Sequence, residues 1–258
     1  MEINWDSLTL FLYIVMRMSG FVQVNPLFGR SNFPNIYKAG MALTLSIAVA
    51  SSGAGQAVMP GTTLEFIVRA MLEMGIGVVF SFIIQFFLYI PEQAGEIVDT
   101  QMGMSMARTY DAGAQASLTT TATLLNMLTI LIFFASNGHI TLLRIMMTSG
   151  EIVPYGAAHF GDAVANRAVE LFAECVLLAI KMSLPILATE LMGQVGMGIL
   201  MKVIPQINVF AINIELKVII GLSMLLLLLT PFTDYLLNAE TQMLNALEGM
   251  LQLIGSTG

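Results

Sequence analysis

The pattern of apolar and polar residues divides the chain into six apolar runs separated by shorter polar segments. A helix needs about 20 residues to cross the hydrocarbon of a bilayer, and these runs are close to that length. They are continuous and do not alternate as the strands of a barrel do, so the pattern predicts an all-α membrane protein. We expect Pro91 to end the third helix and Pro185 to break the fifth. The runs are residues 8–24, 39–59, 64–90, 118–147, 169–192 and 216–232.

A polar segment at residues 91–126 separates two of the most apolar runs. Its acids, Glu92, Glu96 and Asp99, fall at i, i+4 and i+7, so they share one face of a helical segment that we expect to reach about residue 107. Beyond them, small residues are mixed with methionines at alternate positions 102, 104 and 106. Two interpretations are open at this point, a solvent loop and a functional insert.

The composition supports a membrane protein and excludes several classes. The chain is 57% hydrophobic and 10% charged, whereas a soluble domain carries roughly 25% charged residues. The net charge of −7 argues against nucleic acid as a partner. The single cysteine, Cys175, excludes an intramolecular disulfide framework. Acids near the start do not fit a signal peptide, so we expect the first run to stay in the mature protein.

Charged residues lie inside several of the apolar runs, where each costs at least about 2.5 kcal/mol at the bilayer centre. Arg69 and Glu73 are four residues apart, a spacing that allows them to pair, though in the less favourable order along a helix. Glu174 and Lys181 fall near one helical face. Such groups either line a polar pathway or are buried against partner subunits, and some of these helices need not lie in lipid.

Catalytic motifs are absent from the sequence, including metalloprotease, nucleophile-elbow, P-loop and dinucleotide-binding patterns. Asp111 and Asp162 partly match the paired aspartates of intramembrane aspartyl proteases, but both lie in polar segments instead of apolar helices. The sequence Asn137-Gly138-His139 interrupts an apolar run and predicts a hinge or helix boundary. We therefore predict no catalytic residue, no cofactor and no metal site.

Several short motifs follow one another in a defined order along nearly the whole chain. They are Asn25-Pro26-Leu27-Phe28 after Arg17, Gly75-x-Gly77 after Glu73, Gly95-Glu96-x-x-Asp99-x-Gln101-Met102-Gly103-x-Ser105-x-Ala107, Asn137-Gly138-His139, and Pro205-Gln206-x-Asn208-x-Phe210. In this order and spacing the chain resembles the FliR family of the flagellar export gate and its counterparts in type III secretion.

The resemblance implies a non-enzymatic structural and gating subunit of the flagellar type III protein export channel, needed for flagellum assembly. It implies broken helical hairpins packed into a hetero-oligomeric helical ring with FliP-like and FliQ-like subunits. Further partners are FlhB-like and FlhA-like export components, rod proteins and exported unfolded proteins. The location it implies is the bacterial inner membrane, in the flagellar basal body, with part of the complex raised toward the periplasm.

The same resemblance implies one export-gate domain over residues 1–258, and together with the charges and composition described above it leads us to expect three groups of site residues. Residues up to about 126 form a FliP-like part with the loop, and residues from about 127 include a FliQ-like C-terminal hairpin. The pore plug or gate comprises Met102, Met104, Met106, Arg108, Tyr110, Asp111 and Gly113. Inter-helix or inter-subunit polar contacts comprise Arg17, Arg69, Glu73, Glu96, Asp99, Gln101, Glu174 and Lys181. The hairpin loop comprises Pro205, Gln206, Asn208 and Phe210.

An alternative interpretation is a secondary transporter or channel with broken helices around a site at the middle of the membrane. A transporter works alone or as a homo-oligomer, whereas an export subunit requires its partners for assembly. Basic residues are too few and too scattered to predict which end of the chain faces the cytoplasm.

Overall fold

The computed structural model describes residues 5–26, 34–53, 55–104, 119–204 and 209–256. The described residues form helices joined by short connections, with one isolated β-bridge between Ala57 and Tyr155. The helices are α1 (Trp5–Val24), α2 (Asn35–Ser51), α3 (Thr63–Met102), α4 (Thr120–Ala135), α5 (Gly138–Ile152), α6 (Asp162–Val203), α7 (Val209–Leu227) and α8 (Leu229–Ser256).

The two proline predictions were wrong. Helix α3 runs for 40 residues through Pro91, and helix α6 runs for 42 residues through Pro185. Proline removes one backbone hydrogen bond from a helix interior. In apolar surroundings no water is available to pair the backbone groups that a broken helix would leave free. Losing the single hydrogen bond at proline therefore costs less free energy than ending the helix there. The acidic segment after Pro91 is therefore part of α3, and the helix ends at Met102.

Two other apolar runs are interrupted. The fourth run breaks between α4 and α5, where Asn137 adopts a left-handed conformation with φ 62° and ψ 23°. This confirms the predicted boundary at Asn137-Gly138-His139. The sixth run breaks at Leu228, where α7 and α8 meet at a bend of 61°. The second run is helical only as far as Ser51, the last of the 17 residues of α2. Gly53 follows with φ 68°, a left-handed conformation that suits glycine.

The chain forms two compact units. The first comprises Met1–Phe87, Asn137–Phe172 and Glu240–Gly258. Its core is formed by the inward faces of α1, α3 and α5, and by the end of α8, where Leu247, Leu251 and Ile254 are buried. Core side chains include Tyr13, Ile14, Met18, Phe21, Ile76, Phe80, Ile83, Leu142, Leu247 and Leu251.

The second unit comprises Leu88–Ser136 and Ala173–Ala239. It contains the end of α3, all of α4 and α7, and most of α6. Helices α3 and α4 approach closely here, and glycine makes this possible: a Cβ at Gly95 of α3 would overlap the backbone of Ala122 of α4. Core side chains of this unit include Ile90, Val98, Met102, Leu125, Met182 and Ile186.

Three helices of the described residues are long and apolar enough to cross a membrane, namely α1, α3 and α6. Two further spans are reached if α4 with α5, and α7 with α8, each count as one bent span. The observed architecture is therefore an all-helical protein with several candidate membrane helices, two of the candidate spans being interrupted.

Candidate functional site

A buried ion pair lies at the centre of the first unit. The Arg17 Nε donates to Glu73 Oε2 at 2.6 Å, and both side chains are 0% exposed. The other two guanidinium nitrogens donate to Ser149 Oγ and to the Val153 carbonyl oxygen, each at 3.1 Å. The second Glu73 oxygen accepts from the Gly156 N–H at 2.7 Å. The pair therefore joins α1 and α3 to the end of α5 and the segment after it.

Tyr155 completes this polar cluster. The Arg17 guanidinium carbon lies 4.3 Å from the centre of the Tyr155 ring, a cation–π arrangement. Burial raises the pKa of the Tyr155 phenol, the Arg17 charge lowers it, and the net shift is upward. The ring also fits against Gly55 and Gly150, where a Cβ would meet it. Tyr155 is thus held between two backbone segments that lack side chains.

The predicted pair between Arg69 and Glu73 was wrong. Arg69 Nη2 pairs instead with Glu65 at 2.5 Å, one turn earlier on the same helix. Glu-before-Arg at i, i+4 is the favourable order along a helix, whereas Arg69-before-Glu73 is the reverse. Glu73 lies on the face of α3 that meets α1, so its partner comes from Arg17.

The second unit contains a clamp at the two ends of the 105–118 segment. Asp99 near the end of α3 accepts from the Thr121 N–H at 2.8 Å and from the Thr121 hydroxyl at 2.5 Å. Asp99 and Thr121 are buried. The first N–H groups of a helix have no partner within the helix, and a carboxylate there is also favoured by the helix dipole. Asp99 therefore caps α4 from a different helix.

Met102 extends the contacts of this region to α7. Its sulfur and terminal methyl would lie 2.5 Å and 2.7 Å from a Cβ at Gly221, so the side chain occupies the space that glycine leaves. Met102 is 0% exposed. Of the other residues predicted here, Met104, Glu96 and Gln101 are half-buried.

The remaining predicted site residues are distributed as follows. Glu174 and Lys181 are exposed on α6. Phe210 falls in the backbone of α7. The described part of the chain does not include Met106, Arg108, Tyr110, Asp111, Gly113, Pro205, Gln206 or Asn208.

Several residues of these contacts were missed by the sequence reasoning. Thr121 carried a usable signal, since a threonine at the start of an apolar run is a common helix-start residue. Ser149 and Tyr155 carried none, because the sequence does not reveal that the end of α5 and the segment after it meet Arg17. Glu190 also lies inside an apolar run, and the sequence gives no indication of its surroundings.

The comparison with known families identifies the chain. Residues 8–243 match the family described as bacterial export proteins, family 1. The chain belongs to this family. The resemblance to FliR is thereby confirmed, as several relatives carry that name.

Individual relatives cover most of the chain. It is 25% identical over 255 residues to flagellar biosynthetic protein FliR of Escherichia coli (strain K12), with 97% of each chain covered. It is 26% identical over 259 residues to flagellar biosynthetic protein FliR of Bacillus subtilis (strain 168), again with 97% of each covered. It is also 25% identical over 186 residues to Yop proteins translocation protein T of Yersinia pestis, with 70% of each covered.

Proposed function

We propose that this bacterial export protein is a structural and gating subunit of the flagellar type III export channel in the bacterial inner membrane. Family membership, the names of the relatives and the candidate membrane helices support the proposal. In this proposal it joins FliP-like and FliQ-like subunits in a helical ring and meets FlhB-like and FlhA-like components and rod proteins. It has no enzymatic role, and part of the ring is raised toward the periplasm within the basal body.

The clamp between Asp99 and Thr121 is the observation that carries the gating role. It joins the end of α3 to the start of α4, the two helices between which residues 105–118 lie in the sequence. A pore plug needs such an anchor if it is to close in the same place each time. We assign the plug to Met102, Met104, Met106, Arg108, Tyr110, Asp111 and Gly113.

The exposed face of α6 supports a role in assembly. In the second unit this face is strongly apolar, yet Lys181 and Glu174 lie on the same exposed helix. Charged residues within an apolar span are tolerated when they face protein or water. A partner subunit that covers α6 would bury the apolar side chains and would also place protein next to the two charged ones. The exposed apolar residues are Val176, Leu177, Ile180, Leu184, Leu191, Met192 and Val195.

The decisive experiment replaces residues 107–117 by a short Gly-Ser linker in a strain that supplies the other export components. The clamp residues remain, so the complex should assemble and co-purify in normal amounts. Without the plug, small solutes should leak across the membrane, measured as dye entry or ion conductance. A strain that lacks this chain altogether is the control, because it shows how much leakage occurs without the assembled complex. Normal assembly with a tight membrane would contradict the gating role.

The two interrupted helix pairs favour the second candidate function, a secondary transporter or channel with broken helices. Co-expression with and without FliP-like and FliQ-like partners separates the two. An export subunit should be unstable alone and recovered in a larger complex, as judged by native mass measurement in detergent. Recovery of a stable chain that binds a small solute would favour the transporter.

A further inference from the structure

Helices α1 and α2 of the first unit form an antiparallel pair. Residues 25–34 connect the end of α1 to the start of α2. A cleft of about 510 Å³ lies between the second half of α1 and the first half of α2. Because these two halves lie side by side, α2 runs back along α1. Trp5 at the start of α1 and Tyr37 at the start of α2 therefore lie at opposite ends of the pair.

The two ends of the pair carry exposed aromatic side chains and charged residues. Trp5 is 71% exposed and Tyr37 is 68% exposed. Asp6 follows Trp5, and Lys38 follows Tyr37. The 20 residues of α1 extend over about 30 Å, which equals the thickness of the hydrocarbon of a bilayer. Exposed Trp and Tyr at this separation are typical of the two interfaces between lipid and water.

Between these ends the outer surface of the pair is apolar. Both helices are described in full, and their exposed residues between the two ends include no charged side chain. The one polar member is Thr44, whose hydroxyl donates to the Gly40 carbonyl oxygen at 2.8 Å and so needs no water. Lipid accepts such a surface, unlike the exposed face of α6 with Glu174 and Lys181. The residues of this outer surface are Leu8, Leu12, Ala39, Gly40, Leu43, Thr44, Ile47 and Ala50.

The cleft between α1 and α2 is polar at one end and apolar at the other. The end near Tyr37 offers a cation and two amides, whereas the end near the middle of the pair offers only aliphatic side chains. None of the described residues that line it is acidic. Its volume is in the range of small-molecule sites. From the polar to the apolar end, the lining residues are Gln23, Asn35 and Lys38, then Ser19 and Ala39, then Val15, Ala42 and Leu43.

We propose that this cleft binds a phospholipid with an anionic headgroup, and that the outer surface of the α1–α2 pair lies in lipid. The Lys38 ammonium attracts the headgroup, and the amides of Gln23 and Asn35 donate to its phosphate oxygens. The methylene groups of the lysine stay against the helix while its charge reaches the headgroup level. An acyl chain lies along the apolar end and continues over Leu43 into the bilayer. The inference goes beyond the proposed function, because it concerns lipid and involves no residue of the gate.

Photo-cross-linking tests the site in the assembled complex. The complex is purified from a strain that supplies the other export components and is placed in phosphatidylcholine vesicles. These contain a trace of phosphatidylglycerol that carries a photoreactive diazirine in its acyl chain, and mass spectrometry maps the labelled peptides after irradiation. Label should appear on residues 15–23 and 35–43. It should exceed the label from phosphatidylcholine with the same diazirine about fivefold, the factor expected for one lysine at an anionic lipid surface.

Two pairs of variants separate the headgroup from the acyl chain. Lys38→Gln should lower labelling of the cleft by phosphatidylglycerol to the level of phosphatidylcholine, whereas Lys202→Gln removes an exposed cation from α6 and should change nothing. Ala39→Leu fills the cleft and should lower labelling by both lipids. Ala50→Leu adds the same bulk to an exposed position of α2 outside the cleft and should leave the labelling unchanged.

Three results would overturn the inference. One is equal labelling of the wild-type cleft by the two lipids, and another is equal labelling in Lys38→Gln and Lys202→Gln. The third is labelling of α1 and α2 in the chain purified alone but not in the complex, which would show that a partner subunit covers this surface. Inorganic phosphate should not displace the lipid, since it lacks an acyl chain, and displacement would show that the cleft takes free phosphate. Because lipid contact is measured and not export, failure of the gating experiment would leave this result unaffected.

Discussion

Arg17 lies inside an apolar helix because each of its donor nitrogens meets an acceptor. The carboxylate of Glu73, the Ser149 hydroxyl and the Val153 carbonyl occupy these positions, and the Tyr155 ring covers the guanidinium plane. Arginine suits this site better than lysine, since its fork of donors is rigid and planar. A buried pair of this kind adds little to the free energy of unfolding compared with an apolar replacement of both residues. Removing only one partner, however, leaves an uncompensated buried charge.

Glu73→Gln should destabilise the first unit strongly. Loss of the carboxylate charge leaves Arg17 buried without a counter-ion, which typically costs about 3–5 kcal/mol. The measurement is the thermal unfolding midpoint of the purified protein in detergent, followed by intrinsic fluorescence. Glu65→Gln is the control, because it breaks the partly exposed pair with Arg69 and should shift the midpoint only slightly. Equal shifts in the two variants would contradict the central role of the buried pair.

Tyr155 gives the first unit a pH dependence at high pH. The phenol's pKa is raised in the folded protein, so above pH 10 the unfolded chain releases this proton more readily than the folded one. The stabilisation is complete below the unfolded pKa and is lost as the pH rises through the folded pKa. Unfolding midpoints between pH 8 and 11 should therefore fall less in Tyr155→Phe than in the wild type. Tyr37→Phe, which removes an exposed phenol, is the control; identical slopes for Tyr155→Phe and wild type would refute this account.

At the scale of elements, the crossing of α1 and α3 depends on glycine. A Cβ at Gly77 would overlap the Arg17 carbonyl, and one at Gly20 would overlap the Met74 carbonyl. The two backbones therefore approach each other without side chains between them. This proximity brings Ser81 of α3 to the Phe21 carbonyl, to which its hydroxyl donates at 2.8 Å.

Gly77→Ala should separate α1 from α3. The overlap involves backbone atoms that cannot move independently, so a loss of about 1–3 kcal/mol is expected despite the better helix propensity of alanine. Gly196→Ala in α6 is the matched control, since nothing lies within 4 Å of its Cβ position. It should gain about 0.5–1 kcal/mol in the same unfolding measurement. A neutral Gly77→Ala would mean that α1 and α3 do not cross this closely.

The sequence predicts most of the helices and the break at Asn137, but not the other helix ends or the contacts between helices. Apolar runs identified α1, α3 and α6, because composition alone distinguishes a membrane helix. The effect of Pro91 and Pro185 was misjudged, since a local rule was applied where the apolar surroundings favour an unbroken helix. The Asp99 clamp and the partner of Glu73 join residues that are 22 and 56 positions apart, and the sequence does not encode such distances directly.

At the scale of the whole molecule, the protein presents a large apolar surface on a helix that also carries charges. Lipid would accept the apolar side chains of α6 but not Lys181 and Glu174. A protein partner accepts both. The division into a FliP-like part up to about residue 126 and a later part with a FliQ-like hairpin concerns the same surfaces and stays a prediction.

Cysteine labelling should reveal whether α6 is covered by a partner. In a background with the buried Cys175 changed to Ala, Leu177→Cys introduces a thiol at a side chain that is 51% exposed. A bulky maleimide should label it readily in the chain purified alone and slowly in the assembled complex. Met182→Cys, which is buried in the chain itself, should remain unlabelled in both samples. Equal labelling of Leu177→Cys in both would place the partner elsewhere.

The Asp99–Thr121 contact has a further consequence for how the chain tolerates change. Because the helices on either side are fastened to each other directly, the number of residues between them is free to vary at small entropic cost. Natural insertions or a grafted epitope at this position should leave the surrounding helices in place. Changes in the number of residues between α3 and α4 should therefore leave the two helices joined through Asp99 and Thr121.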